Sequence, residues 1–422
     1  MTTRKAVHEK ARKTEILAEA DVVVVGAGPA GITAAIAAAR EGAHTILIER
    51  YGHLGGMATG GLVLMFNPAP GMGMEWLSRL NKVNGVHDLS KTREPEWRHA
   101  LMVDPELLKC ILNEMAFDSG LNLLLHSWGV AAVVEQNIVK GVIIESKSGR
   151  QAVMGKVVID ATGDGDVFAS AGADFEASLD KGYRISDLAV VFRIGGVDFD
   201  KFADFRKNQP AVWQEKRAEG FKLAGFHIAP IPAQRPDVFW VNNFIRNKSC
   251  LNVEDITWVE THVRQIMIPY HKFLKENVPG FENSYIFDSA SQLGTRGSRR
   301  VIGDYVLTEE DARAGKKFDD TVVMFEKGVP LSWPPGAPIT NVCLPYRCLL
   351  PAKLDGILVA GRCFSSDQGA NSMFNIIAHC IQMGQAAGTA AALAVKTQVQ
   401  PRRVDIKTLQ KRLIAQGMIL PG

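Results

Sequence analysis

Asp21-Val-Val-Val-Val-Gly26-Ala-Gly28-Pro-Ala-Gly31-Ile-Thr-Ala-Ala-Ile-Ala-Ala-Ala-Arg40 reads as a strand driven into a tight glycine turn and out into an alanine-rich helix. Four consecutive β-branched valines suit a strand buried on both faces, as in a parallel sheet. Gly26-x-Gly28-x-x-Gly31 follows without a spacer. In a dinucleotide-binding unit the first glycine permits the turn and the second lets the backbone approach a pyrophosphate. The third lets the helix lie close on the strand while its free N–H groups face the anion.

Such a unit needs a second strand ending in an acid about 20 residues further on, to accept bonds from a ribose hydroxyl. Thr45-Ile-Leu-Ile-Glu49 supplies it. A carboxylate there repels a 2′-phosphate, so the expected nucleotide is FAD or NAD rather than NADP. Arg50 to Gly61 then places five glycines in twelve residues, a loop suited to close backbone approach to a flat or charged ligand.

The 422 residues leave room for two or three domains, and 46% hydrophobic with 22% charged residues is ordinary for a globular enzyme. A net charge of +3 without a basic run gives no reason to expect nucleic acid, and no window of about 18 apolar residues suggests a membrane span. Six scattered cysteines form no disulfide framework, and residues 1–20 read as an exposed arm lacking an apolar signal core, so a cytoplasmic setting is expected.

Further along, Met74 to Lys82 reads as a short helix. The stretch from Asp104-Pro105 reads as a longer one, with an N-cap and a first-turn proline. Strand-like runs at 121–126, 130–134, 138–145 and 151–160 predict a small antiparallel excursion with turns near Asn137 and Gly149. It leads to Val157-Val-Ile-Asp160-Ala-Thr162-Gly163-Asp164-Gly165-Asp166. Asp164 and Asp166 lack the further oxygen ligands a metal would want, so capping or contact with a cofactor hydroxyl is expected and no metal.

Residues 181–340 change character, with Trp213, Trp240, Trp258 and Trp333 and one clear helix at 255–276. Nucleotide-domain features return with Ile357-Leu-Val-Ala-Gly361-Arg362 and a long helix from Met373 to Val395, whose small residues Gly384, Ala387, Gly388 and Ala391 permit close packing. A last helix is expected near 405–416. The fold class is therefore α/β: a Rossmann-like domain with a parallel sheet and an antiparallel excursion (21–180 and 341–422), into which an α+β substrate-facing domain (181–340) is inserted.

These pieces resemble the FAD-dependent oxidoreductases of the two-dinucleotide-binding-domain superfamily, which include the glutathione reductase and fumarate reductase flavoprotein type. The resemblance rests on Gly26-Ala-Gly-Pro-Ala-Gly31, Glu49-Arg50, Leu54-Gly-Gly-Met-Ala-Thr59, Asp104-Pro-Glu106 and Ile159 to Asp166. It continues in Ser298 to Leu307, Pro345-Tyr-Arg347, Leu358 to Arg362 and Gly384 to Gly388.

It implies FAD as cofactor, with the pyrophosphate at Gly26, Gly28, Pro29, Ala30 and Gly31 and the ribose at Glu49 and Arg50. The cofactor would be lined by Gly55, Gly56, Met57, Ala58 and Thr59, by Ala161, Thr162, Gly163 and Asp164, and by Gly361, Arg362 and Asn375. Val130 would meet adenine through its backbone. Asn375, and Arg296-Gly-Ser298, depart from the family pattern of Arg and Arg-Glu-Ser, so the catalytic face is expected to differ.

Arginines at 235, 246, 296, 299, 300 and 347 crowd the inserted region and its exit. Arg347 and Arg296 stand out as substrate ligands because they adjoin family-matching segments, and His271 and Tyr346 are candidate proton-transfer groups. Cys343 and Cys348 have a redox-disulfide spacing at an unsuitable place in the chain, and His53 sits where a covalent flavin link would be weighed. No second G-x-G-x-x-G turn appears, which disfavours a pyridine-nucleotide disulfide reductase.

The reading is an FAD-dependent oxidoreductase that exchanges a hydride between flavin N5 and a small organic substrate, with an external electron acceptor or O2 as partner. Homo-oligomerisation is left open. The alternatives are a flavin monooxygenase or oxidase using O2, and a flavin-binding protein without turnover.

Overall fold

The computed structural model describes residues 6–7, 9–88, 101–178, 187–233, 235–325 and 341–421. The domain boundaries expected at 180/181 and 340/341, and Trp333, fall in or against segments outside the described residues.

The valine run forms the C-terminal end of strand β1 (Glu15–Val25), where Val22, Val23 and Val24 are wholly buried. Burial on both faces is worth about 1.5–3 kcal/mol per such side chain. Beside it, in parallel, lies β2 (Thr45–Ile48), with Val22 opposite Thr45 and Val25 opposite Ile48. Residues 15–20, expected as an arm, are part of β1 and pair with the other neighbouring strand.

The remaining strands of this sheet are β3 (Asn122–Leu124), β4 (Trp128–Glu135), β5 (Ile138–Ser146), β6 (Gly149–Asp160) and β7 (Ile357–Val359). Their order is β3-β2-β1-β6-β5-β4, with β7 also beside β6. The first half of β6 pairs antiparallel with β5 and its last residues pair parallel with β7. The excursion is thus β4-β5-β6, turning at Gln136-Asn137 and at Gly149, all with positive φ. The run at 121–126 is not part of it: β3 continues the parallel sheet beside β2, because Leu123 and Leu124 pair with Leu47 and Ile48.

Helix α1 (Pro29–Arg40) covers one face of the sheet, and the long helix α2 (Ile377–Thr397) packs against it with almost every residue to Ala394 buried. Thr33 Oγ1 donates to the Ile381 carbonyl at 3.1 Å across this contact. The long helix starts at Ile377 rather than Met373. A separate helix, Gln368–Phe374, precedes it, and Asn375-Ile376 makes the break.

Among residues 187–325, strands Phe192–Gly195, His227–Pro232, Phe239–Phe244 and Tyr285–Ser289 build an antiparallel sheet. Helix Val253–Asn277 and two shorter helices close over it. Their core is aromatic: the Phe202 ring meets Trp213, Phe239 and Phe281 edge-on at 5.1–5.5 Å. Among the described residues no helix is long and apolar enough to cross a membrane.

Candidate active site

The three fingerprint glycines do different work. Gly26 turns at φ +91°, and a Cβ on Gly31 would lie 1.7 Å from the Gly26 carbonyl oxygen, so both are fixed by close packing. Gly28 is the N-cap of α1 at φ −64°, with no side-chain cap. A Cβ there would meet nothing within 4 Å. Gly28 therefore opens onto a cleft of about 710 Å³, whose walls include the α1 N-terminus, Gly56 and Met57, Glu49 and Arg50, Ala161 to Gly163, and Gly361 with Arg362.

Glu49 is buried at the end of this cleft and accepts from the Ala27 N–H at 2.6 Å and the Tyr51 N–H at 2.8 Å. Burial raises its pKa, against the pull of these two donors. Two bonds leave lone pairs of the carboxylate for ribose hydroxyls. A glycine cradle without a Cβ, an uncapped helix N-terminus and an acid at the far strand end fit FAD, whose pyrophosphate and ribose are the groups such donors and acceptors recognise.

Glu49→Ala is expected to weaken FAD binding by about 1.5–3 kcal/mol, the worth of a charge-assisted hydrogen bond. It should also loosen the turn, because Ala27 and Tyr51 lose their acceptor. Titration of the apoprotein with FAD checks this; an unchanged dissociation constant would exclude Glu49 as the ribose ligand.

At the other end stands Arg362, which donates to Asp164 Oδ1 at 3.0 Å, while Ser298 Oγ donates to the same oxygen at 2.7 Å. Arg362 Nε is buried without a partner. Asp166 is held by Arg299 at 2.9 Å. Asp160, at the end of β6, receives the Thr162, Val167 and Phe168 N–H groups and the Thr162 hydroxyl. Burial still pushes its pKa up to about 6.

A second cavity, about 1180 Å³, shares Met57 and Arg362 with the cleft. Trp240, Asn242 and Phe244 line it from alternate positions of one strand, with Val63, Met65 and Asn67, Ala189 and Val191, Gly294 to Arg296, and Asn375 to Ile377. Arg296 lies with its guanidinium carbon 4.6 Å from the Phe244 ring centroid. Its carbonyl accepts from Asn375 Nδ2 at 2.9 Å.

Of the residues expected around the cofactor, Gly26, Gly28, Pro29, Ala30, Glu49, Arg50, Gly56, Met57, Ala161, Thr162, Gly163, Gly361 and Arg362 line the cleft. Gly31, Gly55, Ala58 and Thr59 stand behind it: Gly55 N–H donates to the Ala27 carbonyl and Thr59 Oγ1 to that of Leu54. Asp164 reaches the cleft through Arg362, and Asn375 faces the second cavity. Val130 is not in the wall; its neighbours Trp128 and Gly129 are, as are Ser127 and Gln292, which sequence reasoning missed.

Three expected catalytic groups lie elsewhere. The Arg347 fork is spent on Asp320, with Nε–Oδ2 2.9 Å and Nη2–Oδ1 3.1 Å, and lines neither cavity. Tyr346 is buried and donates to the Pro401 carbonyl at 2.9 Å, which, with burial raising its pKa, removes it from proton transfer. His271 meets Ser284 Oγ at 3.0 Å, also outside both walls. His53 pairs with Ser291 Oγ at 3.3 Å and stacks on Tyr51. Cys343 and Cys348 are buried free thiols whose pKa values burial raises.

The family model described as FAD dependent oxidoreductase matches residues 21–413 of the chain. A thiamine thiazole synthase of Methanococcus maripaludis is 28% identical over 158 residues, 34% of this chain and 56% of its own length. One from Sulfolobus acidocaldarius is 33% identical over 171 residues, 36% and 59%. The chain thus spans little more than half the length of these curated relatives. A geranylgeranyl bacteriochlorophyll reductase-like protein of Thermoplasma acidophilum is similar in fold, with a TM-score of 0.50 and 16% identity over 94% of this chain and 84% of that one.

Proposed function

The chain belongs to the FAD dependent oxidoreductase family, and on that premise we propose that it exchanges a hydride with a small organic substrate held in the larger cavity. FAD would lie along the cleft, with its ring system at the shared wall. The observation that carries this reading is that Met57 and Arg362 belong to both cavities, so a cofactor following the cleft from Glu49 reaches the substrate side there.

Bound FAD supplies a two-electron acceptor and donor. The chain's own residues bind and orient. Glu49 and the α1 N-terminus hold the nucleotide end. Arg362, held by Asp164, whose same oxygen accepts from Ser298, would offer its buried Nε to the ribityl and ring portion. Val63, Val191, Trp240 and Ile377 exclude water from the substrate cavity, and Asn67, Asn242 and Thr295 offer neutral hydrogen bonds within it.

Among the described residues that line the larger cavity there is no Asp, Glu, His, Lys, Tyr or Cys. Among its described residues the wall positions a substrate without a side-chain general base. Hydride would leave a C–H next to O or N with help from the heteroatom lone pair, the O–H or N–H proton being released to solvent as product leaves, or in reverse would pass to an activated double bond with the proton taken from solvent. The test is anaerobic mixing of the FAD-loaded protein with candidate alcohols, amines and unsaturated acids. Bleaching of the oxidised-flavin absorption by one of them is the expected result. If only a pyridine nucleotide bleaches the flavin, and labelled O2 then appears in product, the enzyme is a monooxygenase instead.

A further inference from the structure

Trp240, Asn242 and Phe244 line the larger cavity from one face of the strand Phe239–Phe244, with about 7 Å from each to the next. The strand is paired on both sides, with Phe192–Gly195 and with His227–Pro232. The Asn243 amide, on the opposite face, is tied to the Val190 backbone at 3.0 and 2.7 Å. The half-buried Asn242 side chain makes no hydrogen bond to any described residue, and the same holds for Asn67 and Thr295 in the cavity wall. Asn67 follows a two-residue strand and Thr295 ends another, whereas Asn242 stands within a six-residue strand between two aromatic residues. A group on such a doubly paired strand is held more precisely than one at a loop.

The charged groups of the described wall are Arg296 and Arg362. Arg362 has its charge met by Asp164 at 3.0 Å, and Arg296 lies over Phe244 and has further partners. No described acid lines the cavity to meet an ammonium group. A charged head brought into this largely apolar wall without a dedicated counter-charge loses its hydration, whereas an amide meets an uncharged oxygen without that penalty. The Asn242 amide donates to a carbonyl, and both donates to and accepts from a hydroxyl, so it serves an alcohol and its ketone alike. The flanking rings favour a flat body, which gains from stacked or edge-on contact. We propose that the cavity takes an uncharged substrate with a flat ring body, that Asn242 holds its hydroxyl or carbonyl oxygen, and that Trp240 and Phe244 pack on the ring. The proposal rests on the reading of this cavity as the substrate side of the FAD site, and it asks neither arginine to bind the ligand.

The test uses the FAD-loaded protein and naphthalenes that differ in one substituent at the same ring carbon: hydroxymethyl, methyl, carboxylate or aminomethyl. Affinities are measured by calorimetry, and the flavin absorption bands are followed in parallel titrations. The hydroxymethyl compound is expected to bind about 10-fold or more tighter than the methyl compound, the worth of about 1.4 kcal/mol, and tighter than the carboxylate and the amine. Its saturated decalin counterpart should bind more weakly. In Asn242→Leu, which keeps the volume and loses the amide, the hydroxymethyl and methyl compounds should bind alike, while Thr295→Val should retain the preference. FAD content should stay at the wild-type value in both variants.

Equal affinity for the hydroxymethyl and methyl compounds in the wild type overturns the proposal, as does tighter binding of the carboxylate or the amine. A hydroxymethyl preference that survives Asn242→Leu, or equal binding of the decalin compound, overturns it too. Absence of binding by every probe has the same consequence, while leaving the FAD site intact. Selective binding that is lost in Asn242→Leu upholds the ligand class and the role of Asn242 even if the flavin bands do not move. In that case the reading of the cavity as the flavin's substrate side is what fails.

Discussion

Gly28→Val yields a folded protein that no longer binds FAD. At φ −64° the position accepts any L-residue without backbone strain, and a Cβ there meets no protein atom within 4 Å. The added isopropyl group therefore projects into the cleft, against the α1 N-terminus where the pyrophosphate would approach. Affinity should fall about 100-fold or more, about 2.8 kcal/mol at 1.4 kcal/mol per decade. The melting temperature of the variant should match that of wild-type apoprotein. Measuring flavin absorbance and thermal unfolding on the same sample checks both halves. A full flavin spectrum in purified Gly28→Val would place the cofactor elsewhere.

The same exchange at Gly388 has the opposite outcome: the protein fails to fold properly before any cofactor is considered. A Cβ on Gly388 would stand 2.0 Å from the Ala34 carbonyl oxygen and 2.8 Å from the Ala34 Cα. A Cβ on Gly384 would meet the Ala30 carbonyl oxygen equally closely. Those neighbours are backbone, so relief requires α1 and α2 to separate. Their contact carries much of the main core, with Ala34, Ala387 and Ala391 fully buried. Overpacking of this kind costs about 3 kcal/mol or more. Chemical denaturation should show Gly388→Val destabilised by at least that amount in the absence of FAD. Wild-type stability would mean that the two helices are not in contact.

The different legibility of these sites in the sequence has a physical basis. The dinucleotide unit is local: strand, turn, helix and acid lie within 30 residues, and each glycine has a steric reason that the spacing itself displays. The small residues of α2 were readable for the same reason, since positions three and four apart share a helix face. The start of that helix was not, because no Pro or Gly marks the break at Asn375-Ile376 and the apolar pattern runs through it.

The larger cavity is assembled from segments near residues 63, 190, 242, 296 and 376, which only tertiary packing brings together. Trp240, Asn242 and Phe244 do alternate along one strand. The alternation was hidden because the intervening Val241 and Asn243 are buried too, Asn243 by bonds to the Val190 backbone. Arg347 stood out because it adjoins family-matching segments, and that adjacency says nothing about Asp320, which captures its guanidinium.

We expect FAD to run along the cleft from Glu49 to Arg362 and to bring its ring to the wall shared with the larger cavity. A crystal structure of the FAD-bound protein tests it most directly. The expected result is the adenosine ribose at Glu49, the pyrophosphate over Gly28, and the isoalloxazine in contact with Met57 and Arg362, one face open to the cavity lined by Trp240 and Arg296. An isoalloxazine ring outside that junction, or a nucleotide whose pyrophosphate does not approach Gly28, would contradict it.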